Sequence, residues 1–96
     1  MILAQLSIAP VGTSISLHES VQHVIDVLKK EQVSFQTNAM ATILEVETLT
    51  QLFSVVEKAH NAVIDAGAQR VITELKIDDR RDKNVTLHSK TSSLRF

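Results

Sequence analysis

Cysteine, tryptophan and tyrosine are absent from the 96-residue sequence, and proline and glycine together occur only three times. Without cysteine there is no disulfide, no thiolate nucleophile and no Cys-ligated zinc, a usage that fits a reducing compartment. Three phenylalanines are the whole aromatic content, too few to stack successive bases as single-strand nucleic-acid binders do. Neither sign of charge dominates: ten Lys plus Arg against eleven Asp plus Glu leave a formal net charge of -1, so no global field draws in phosphate backbones or anionic lipid. No apolar run approaches the roughly 18 residues that cross a bilayer, and the opening MILAQLSIAP has no basic leader. Two glycines cannot build a phosphate cradle, and neither a Gly-Lys-Ser/Thr loop nor a Gly-x-Ser-x-Gly elbow occurs. The expectation is a cytoplasmic protein with no nucleic-acid and no membrane partner.

What is present is ordinary globular usage, 44% hydrophobic and 22% charged, which argues against disorder. The length suits one domain, residues 1–96, near the lower part of the usual size range, where oligomerisation adds useful stability. Ile2, Ala4, Leu6 and Ile8 alternate with Leu3, Gln5 and Ser7 until Pro10 closes the run, which predicts a first strand. Ser16 and Glu19 have capping-box spacing, and Val21, Val24, Ile25 and Leu28 recur at helical intervals, predicting a helix over about Leu17 to Glu31. Val33, Phe35 and Thr37, then Thr42, Leu44 and Val46, read as two further extended segments joined by a hairpin near Asn38 to Ala41, although no Asn-Gly or Asp-Gly marks the turn. Thr48 and Gln51 repeat the capping pattern, and Leu49, Leu52, Phe53, Val56, Ala59, His60 and Val63 trace a second helix that Gly67 ends. The last strand, Arg70 to Asp78, alternates Val71, Thr73, Leu75 and Ile77 with Ile72, Glu74 and Lys76 and then enters a dense charge block, Asp79 to Lys83. Residues 84–96 are too irregular to assign, with Thr86 to Leu94 as a candidate short helix.

The order strand, helix, strand, strand, helix, strand is that of an α+β ferredoxin-like βαββαβ sandwich, in which two helices cover one face of a four-stranded antiparallel sheet. Leu3, Gln5, Ser7, Ile43, Glu45, Ile72, Glu74 and Lys76 then share the uncovered face. That mixture suits sheet-on-sheet association with another subunit, or a solvated face carrying scattered apolar residues. Chemistry is thinly signalled. The histidines at 18, 23, 60 and 88 lack metal-ligand spacing, and His60 suits a hydrogen-bonded structural role as well as a ligand contact. Glu45 and Glu74 are candidate paired carboxylates, and equally candidate counter-charges for Lys76 or Arg70. The alternating block from Asp78 to Lys83 reads as a solvated loop or an intersubunit ion-pair network, ahead of a clamp for an anion or a partner.

Pro10-Val11-Gly12-Thr13, Met40-Ala41-Thr42 with Glu45, Ala59-His60, and Gly67 followed by Arg70-Val71 and Lys76-Ile77-Asp78-Asp79-Arg80 together resemble the small thiamine-binding proteins of the MTH1187/YkoF type. The likeness spans nearly the whole chain, and the Lys-Ile-Asp-Asp-Arg run is its most specific part. The resemblance implies a ferredoxin-like fold, homo-oligomers, commonly tetramers, assembled through the sheets, and non-catalytic binding of thiamine or its hydroxymethylpyrimidine moiety; no cofactor is expected, and the histidine spacing argues against a metal. It further implies a pocket wall from Met40 to Glu45. Thr42 would hydrogen-bond a pyrimidine nitrogen or amine, Glu45 would accept from the amine or balance a cationic thiazolium, and Ser14 would add a second polar contact. Ala41 and Val46 stand where the family usually has glycine, and Phe35 where tyrosine is expected. The rival reading is an interaction module whose open sheet face serves assembly only, and a third is a low-activity hydrolase or isomerase using Glu45.

Overall fold

The structure, a computed structural model, describes residues 1–12 and 15–82. Six elements follow one another: β1 (Ile2–Pro10), α1 (Leu17–Lys30), β2 (Ser34–Thr37), β3 (Thr42–Val46), α2 (Leu49–Asp65) and β4 (Val71–Asp79). The strands form one sheet of order β2-β3-β1-β4, and every neighbouring pair is antiparallel. This is the ferredoxin-like α+β arrangement that the element order predicts. Residues 84–96, including the candidate short helix, lie outside the described residues.

Local chemistry explains the helix ends. The Ser16 hydroxyl accepts from the Glu19 N–H at 3.1 Å and the Thr48 hydroxyl from the Gln51 N–H at 3.1 Å, so both N-termini satisfy an otherwise orphaned donor. Gln51 also reaches back, its Oε1 accepting from the Glu47 N–H at 3.0 Å. At the end of α2, Gly67 (φ +119°) donates to the Ile64 carbonyl and Ala68 to the Val63 carbonyl, the paired bonds of a Schellman motif. The end of α1 is built the same way, Gln32 donating to Lys29 and Val33 to Leu28. There the positive-φ position is held by Gln32 (φ 57°) instead of glycine, which is why the sequence carries no stop signal and the helix reads one residue long.

The core lies between the helices and one face of the sheet. Ile2, Ala4, Leu6 and Ile8 of β1 and Leu44 and Val46 of β3 meet Val24 and Leu28 of α1 and Leu52, Val55, Ala59 and Val63 of α2. Each large side chain so buried contributes roughly 1.5–3 kcal/mol. Ser20 is buried among them, and its hydroxyl donates to the Ile8 carbonyl at 3.3 Å, tying α1 to β1. The predicted apolar face of α2 needs correcting: Val55 faces the core, whereas Leu49 and Phe53 are exposed, Phe53 to 53%. At about 100° per residue the buried stripe runs through positions 52, 55, 59 and 63, and Phe53 lies on its flank.

Candidate functional site

Strand alternation sorts the candidate residues before any pocket is considered. Thr42 pairs with Leu6 of β1, and Glu45 pairs with Leu3. Leu6 belongs to the helix-covered core, and Leu3, three positions away, lies on the uncovered side. Thr42 and Glu45 therefore point to opposite faces of the sheet. A single wall from Met40 to Glu45 does not exist within one protomer: a ligand on the helix side meets Thr42 and not Glu45.

On the helix side, Met40 and Thr42 do come together. They line a groove of about 190 Å³ between the start of α1, the second half of β1 and the β2–β3 hairpin, with Leu17 and Val21 on the helical wall. Thr42 is buried, and its hydroxyl lies 3.1 Å from that of Thr37, its cross-strand partner. Asn38 shapes the hairpin. Its backbone N–H donates to the Ala41 carbonyl at 3.0 Å, while its Oδ1 accepts from the Met40 and Ala41 N–H groups at 2.8 and 3.0 Å. Neither Ala39 nor Met40 has a positive φ, so the turn is not of the primed types that Asn-Gly would favour. The side-chain bonds of Asn38 hold the turn instead. They also fix its amide orientation, and Asn38 lines both this groove and a hollow on the uncovered sheet face. The sequence reading passed over Asn38, whose only signal was an asparagine before an unmarked turn. Met40 at the tip is 86% exposed. No charged side chain lines the groove among the described residues, and Ser14 lies outside them.

Two wider, more open hollows lie elsewhere among the described residues. One, about 610 Å³, lies on the uncovered sheet face by Gln5, Gln36 and Lys76. The other, about 580 Å³, sits where the start of α2 meets the end of β4. Its Arg80 and Arg81 are engaged, Arg80 with Asp82 at 2.7 Å and Arg81 with Asp79 at 2.9 Å. Hydrogen bonding to, and then attraction by, those carboxylates holds both guanidinium groups above their ordinary pKa. Among the described residues of the charge block these are two exposed pairs within one chain, each between residues two apart.

The remaining candidates separate cleanly. Glu45 stands opposite Leu3 and Glu74 opposite Ser7, on strands that flank β1 on either side. Ladder spacings put them roughly 16 Å apart, too far to act as an acid and base on one bond. His60 Nδ1 lies 2.7 Å from the Thr73 hydroxyl, a bond from α2 to β4, as its structural reading requires. Among the described residues no group of three or more acidic or histidine side chains could hold a metal ion, and no helix is long and apolar enough to cross a membrane.

Comparison with known proteins extends this picture. A family model described as thiamine-binding protein matches residues 4–95. The chain is 45% identical over 96 residues to a UPF0045 protein of Methanothermobacter thermautotrophicus, covering 99% of this chain and 97% of that one. It is 38% identical to the UPF0045 protein YqgV of Bacillus subtilis, covering 98% and 94%. The crystal structure of MJ1052 from Methanocaldococcus jannaschii superposes with a TM-score of 0.86 at 36% identity, covering 96% and 93%. A Thermotoga maritima protein described as a candidate for thiamine biosynthesis or salvage shares the fold alone, with a TM-score of 0.81 at 19% identity over 98% of each chain.

Proposed function

Because the chain belongs to the thiamine-binding protein family, we propose that it binds thiamine or its hydroxymethylpyrimidine moiety without catalysis, using the groove beside the β2–β3 hairpin. The observation that carries this reading is the hydroxyl pair of Thr37 and Thr42 at the base of an otherwise apolar groove. One hydroxyl donates to the other, which leaves one proton and several lone pairs for a ligand. An aminopyrimidine edge, which offers both a ring-nitrogen acceptor and an amine donor, matches that pair. Asn38 Nδ2 supplies a further donor, and the Met40 thioether a soft contact for the ring face.

Size and charge favour the pyrimidine end. About 190 Å³ is less than the roughly 300–1,000 Å³ of sites that enclose drug-sized ligands, and suits one substituted ring. With no charged lining, the groove offers a cationic thiazolium no counter-charge, so that ring extends outward past Met40. Ser14 enters this site by resemblance alone. Glu45, on the other face, belongs in this reading to self-association of the protein, which acts as a cytoplasmic homo-oligomer, a tetramer on the family resemblance.

The rival reading as a pure assembly module draws on one observation, the apolar residues Leu3, Ile43 and Ile72 on the uncovered face. Isothermal titration with thiamine and with hydroxymethylpyrimidine separates the two. Binding predicts saturable heat at fixed stoichiometry per protomer, weakened about tenfold in Thr42→Val, the size of one hydrogen bond near 1.4 kcal/mol. No heat with either ligand, together with a melting temperature unmoved by excess ligand, would leave the assembly module as the function.

A further inference from the structure

Thr37 and Thr42 stand directly opposite each other across the β2–β3 hairpin, and their hydroxyl oxygens lie 3.1 Å apart, so that either can donate to the other. Among the described residues neither hydroxyl has a second hydrogen bond, and nothing in the fold decides the direction. A hydroxyl carries one proton, which rotates to suit, and two lone pairs. When Thr37 donates, Thr42 keeps its proton for a ligand and Thr37 offers lone pairs. When Thr42 donates, the roles exchange. The pair therefore presents one donor beside one acceptor, and reversing the shared bond swaps which is which.

No other side chain of the groove demands an amine from its ligand. No carboxylate lines it among the described residues. Asn38 Oδ1 is committed to the Met40 and Ala41 N–H groups at 2.8 and 3.0 Å, which occupy both of its lone pairs. Ser7 adds only another hydroxyl, with the same ambivalence. The carboxylate that the resemblance sets against a ligand amine is that of Glu45. It pairs with Leu3 on the uncovered face, and strand alternation turns it away from Thr42. The groove thus holds no side-chain acceptor of fixed polarity for a ligand edge.

We propose that the groove reads a pyrimidine edge without regard to its polarity and takes 4-oxo pyrimidines as well as 4-amino ones. A 4-aminopyrimidine offers a donor at its exocyclic nitrogen and an acceptor at N3. The 4-oxo counterpart, in its lactam form, offers an acceptor at the exocyclic oxygen and a donor at N3. The two edges are opposite in polarity and nearly alike in shape. Reversal of the Thr37–Thr42 bond matches either one and leaves no polar group unpaired, so the penalty by which a hydrogen-bonding site rejects the wrong analogue does not arise. A carboxylate in the same place would face the 4-oxo oxygen, acceptor against acceptor, and exclude it. The inference widens the ligand class of the proposed function to substituted pyrimidines of both kinds, and it rests on the groove being the ligand site.

The test is isothermal titration of the full chain with hydroxymethylpyrimidine and with its 4-oxo counterpart. Dissociation constants within about fivefold of each other are expected, and a larger preference for either probe overturns the inference while leaving the groove as the ligand site. No saturable heat with either probe overturns the groove as a ligand site, and this inference with it. Thr37→Asp puts an acceptor-only group into the pair and should create a preference for the amine of at least roughly tenfold. Indifference in that variant would mean that the pair does not read the edge. Thr37→Val keeps the test decisive if Thr37→Asp folds poorly: it should weaken both probes by a similar factor, and a loss confined to one of them would overturn the reversal.

Discussion

Replacing Gln32 by glycine should stabilise the fold, and replacing Gly67 by alanine should destabilise it, although both residues are exposed. Each sits at the C′ position of a helix with positive φ, 57° for Gln32 and 119° for Gly67. A side chain in the left-handed region costs on the order of 1–2 kcal/mol through the clash of Cβ with the carbonyl. Gln32→Gly removes that cost, offset by the roughly 0.5–1 kcal/mol of extra backbone entropy that glycine loses on folding. A net gain of about 0.5–1 kcal/mol is left, which is about 2–8 °C in melting temperature for a domain of this size. For Gly67→Ala the entropy term changes sign in favour of alanine, but φ +119° lies well outside the left-handed minimum near +57°, so the strain takes the upper part of the 1–3 kcal/mol range. A Cβ built on Gly67 meets nothing within 4 Å, so the loss reports backbone strain without a steric clash. Urea unfolding followed by circular dichroism, at one protomer concentration so that assembly does not shift the midpoint, gives both values. A Gln32→Gly variant no more stable than wild type would refute the argument from φ.

Other expected outcomes follow from single contacts. Ser20→Ala removes the buried bond to the Ile8 carbonyl and leaves that acceptor unsatisfied, so urea unfolding should show a loss of about 1 kcal/mol even after the better helix propensity of alanine. Thr73→Val deletes the bond to His60 Nδ1 and should lower stability by about 0.5–1.5 kcal/mol, with the His60 ring signals in NMR the most displaced. The arginine pairs should give no pH dependence in the ordinary range. Since the folded pKa values of Arg80 and Arg81 are raised, their contribution is fully present below the unfolded arginine pKa and is lost only as pH rises through the folded value. Urea midpoints of Arg81→Gln and wild type should therefore run parallel from pH 6 to 10.

Periodicity made most of the fold legible. Alternation in Ile2 to Ile8 and Val71 to Ile77, together with the capping pairs Ser16 with Glu19 and Thr48 with Gln51, locates elements whose ends agree with the structure to within a residue or two. What stayed hidden depended on backbone dihedrals and on a helix's rotation about its axis. Gln32 ends α1 by adopting a conformation for which glycine is the usual marker, and nothing in its identity announces that. Phe53 was placed in the core because a large aromatic at helical spacing resembles a core residue. A helix packed on one side against α1 and below against the sheet leaves its other flank open, and Phe53 falls there. Asn38 is conspicuous only once its Oδ1 is seen to accept from two N–H groups.

The division of β3 between two faces carries the last step. Thr42 and Glu45 are close in sequence, and a resemblance read as a string joins them into one wall. Odd spacing along a strand forbids it, because side chains alternate. The exposed apolar residues repeat the division: Leu17 and Met40 flank the groove that holds Thr42, and Leu49, Phe53, Ile64, Ile72 and Ile77 gather at the β4 edge. Binding and assembly are thus separable by substitution. Thr42→Val should weaken ligand heats and leave molar mass unchanged. A Thr42→Val variant that dissociates with its ligand heats intact would mean that the hydroxyl pair serves the sheet and not a ligand.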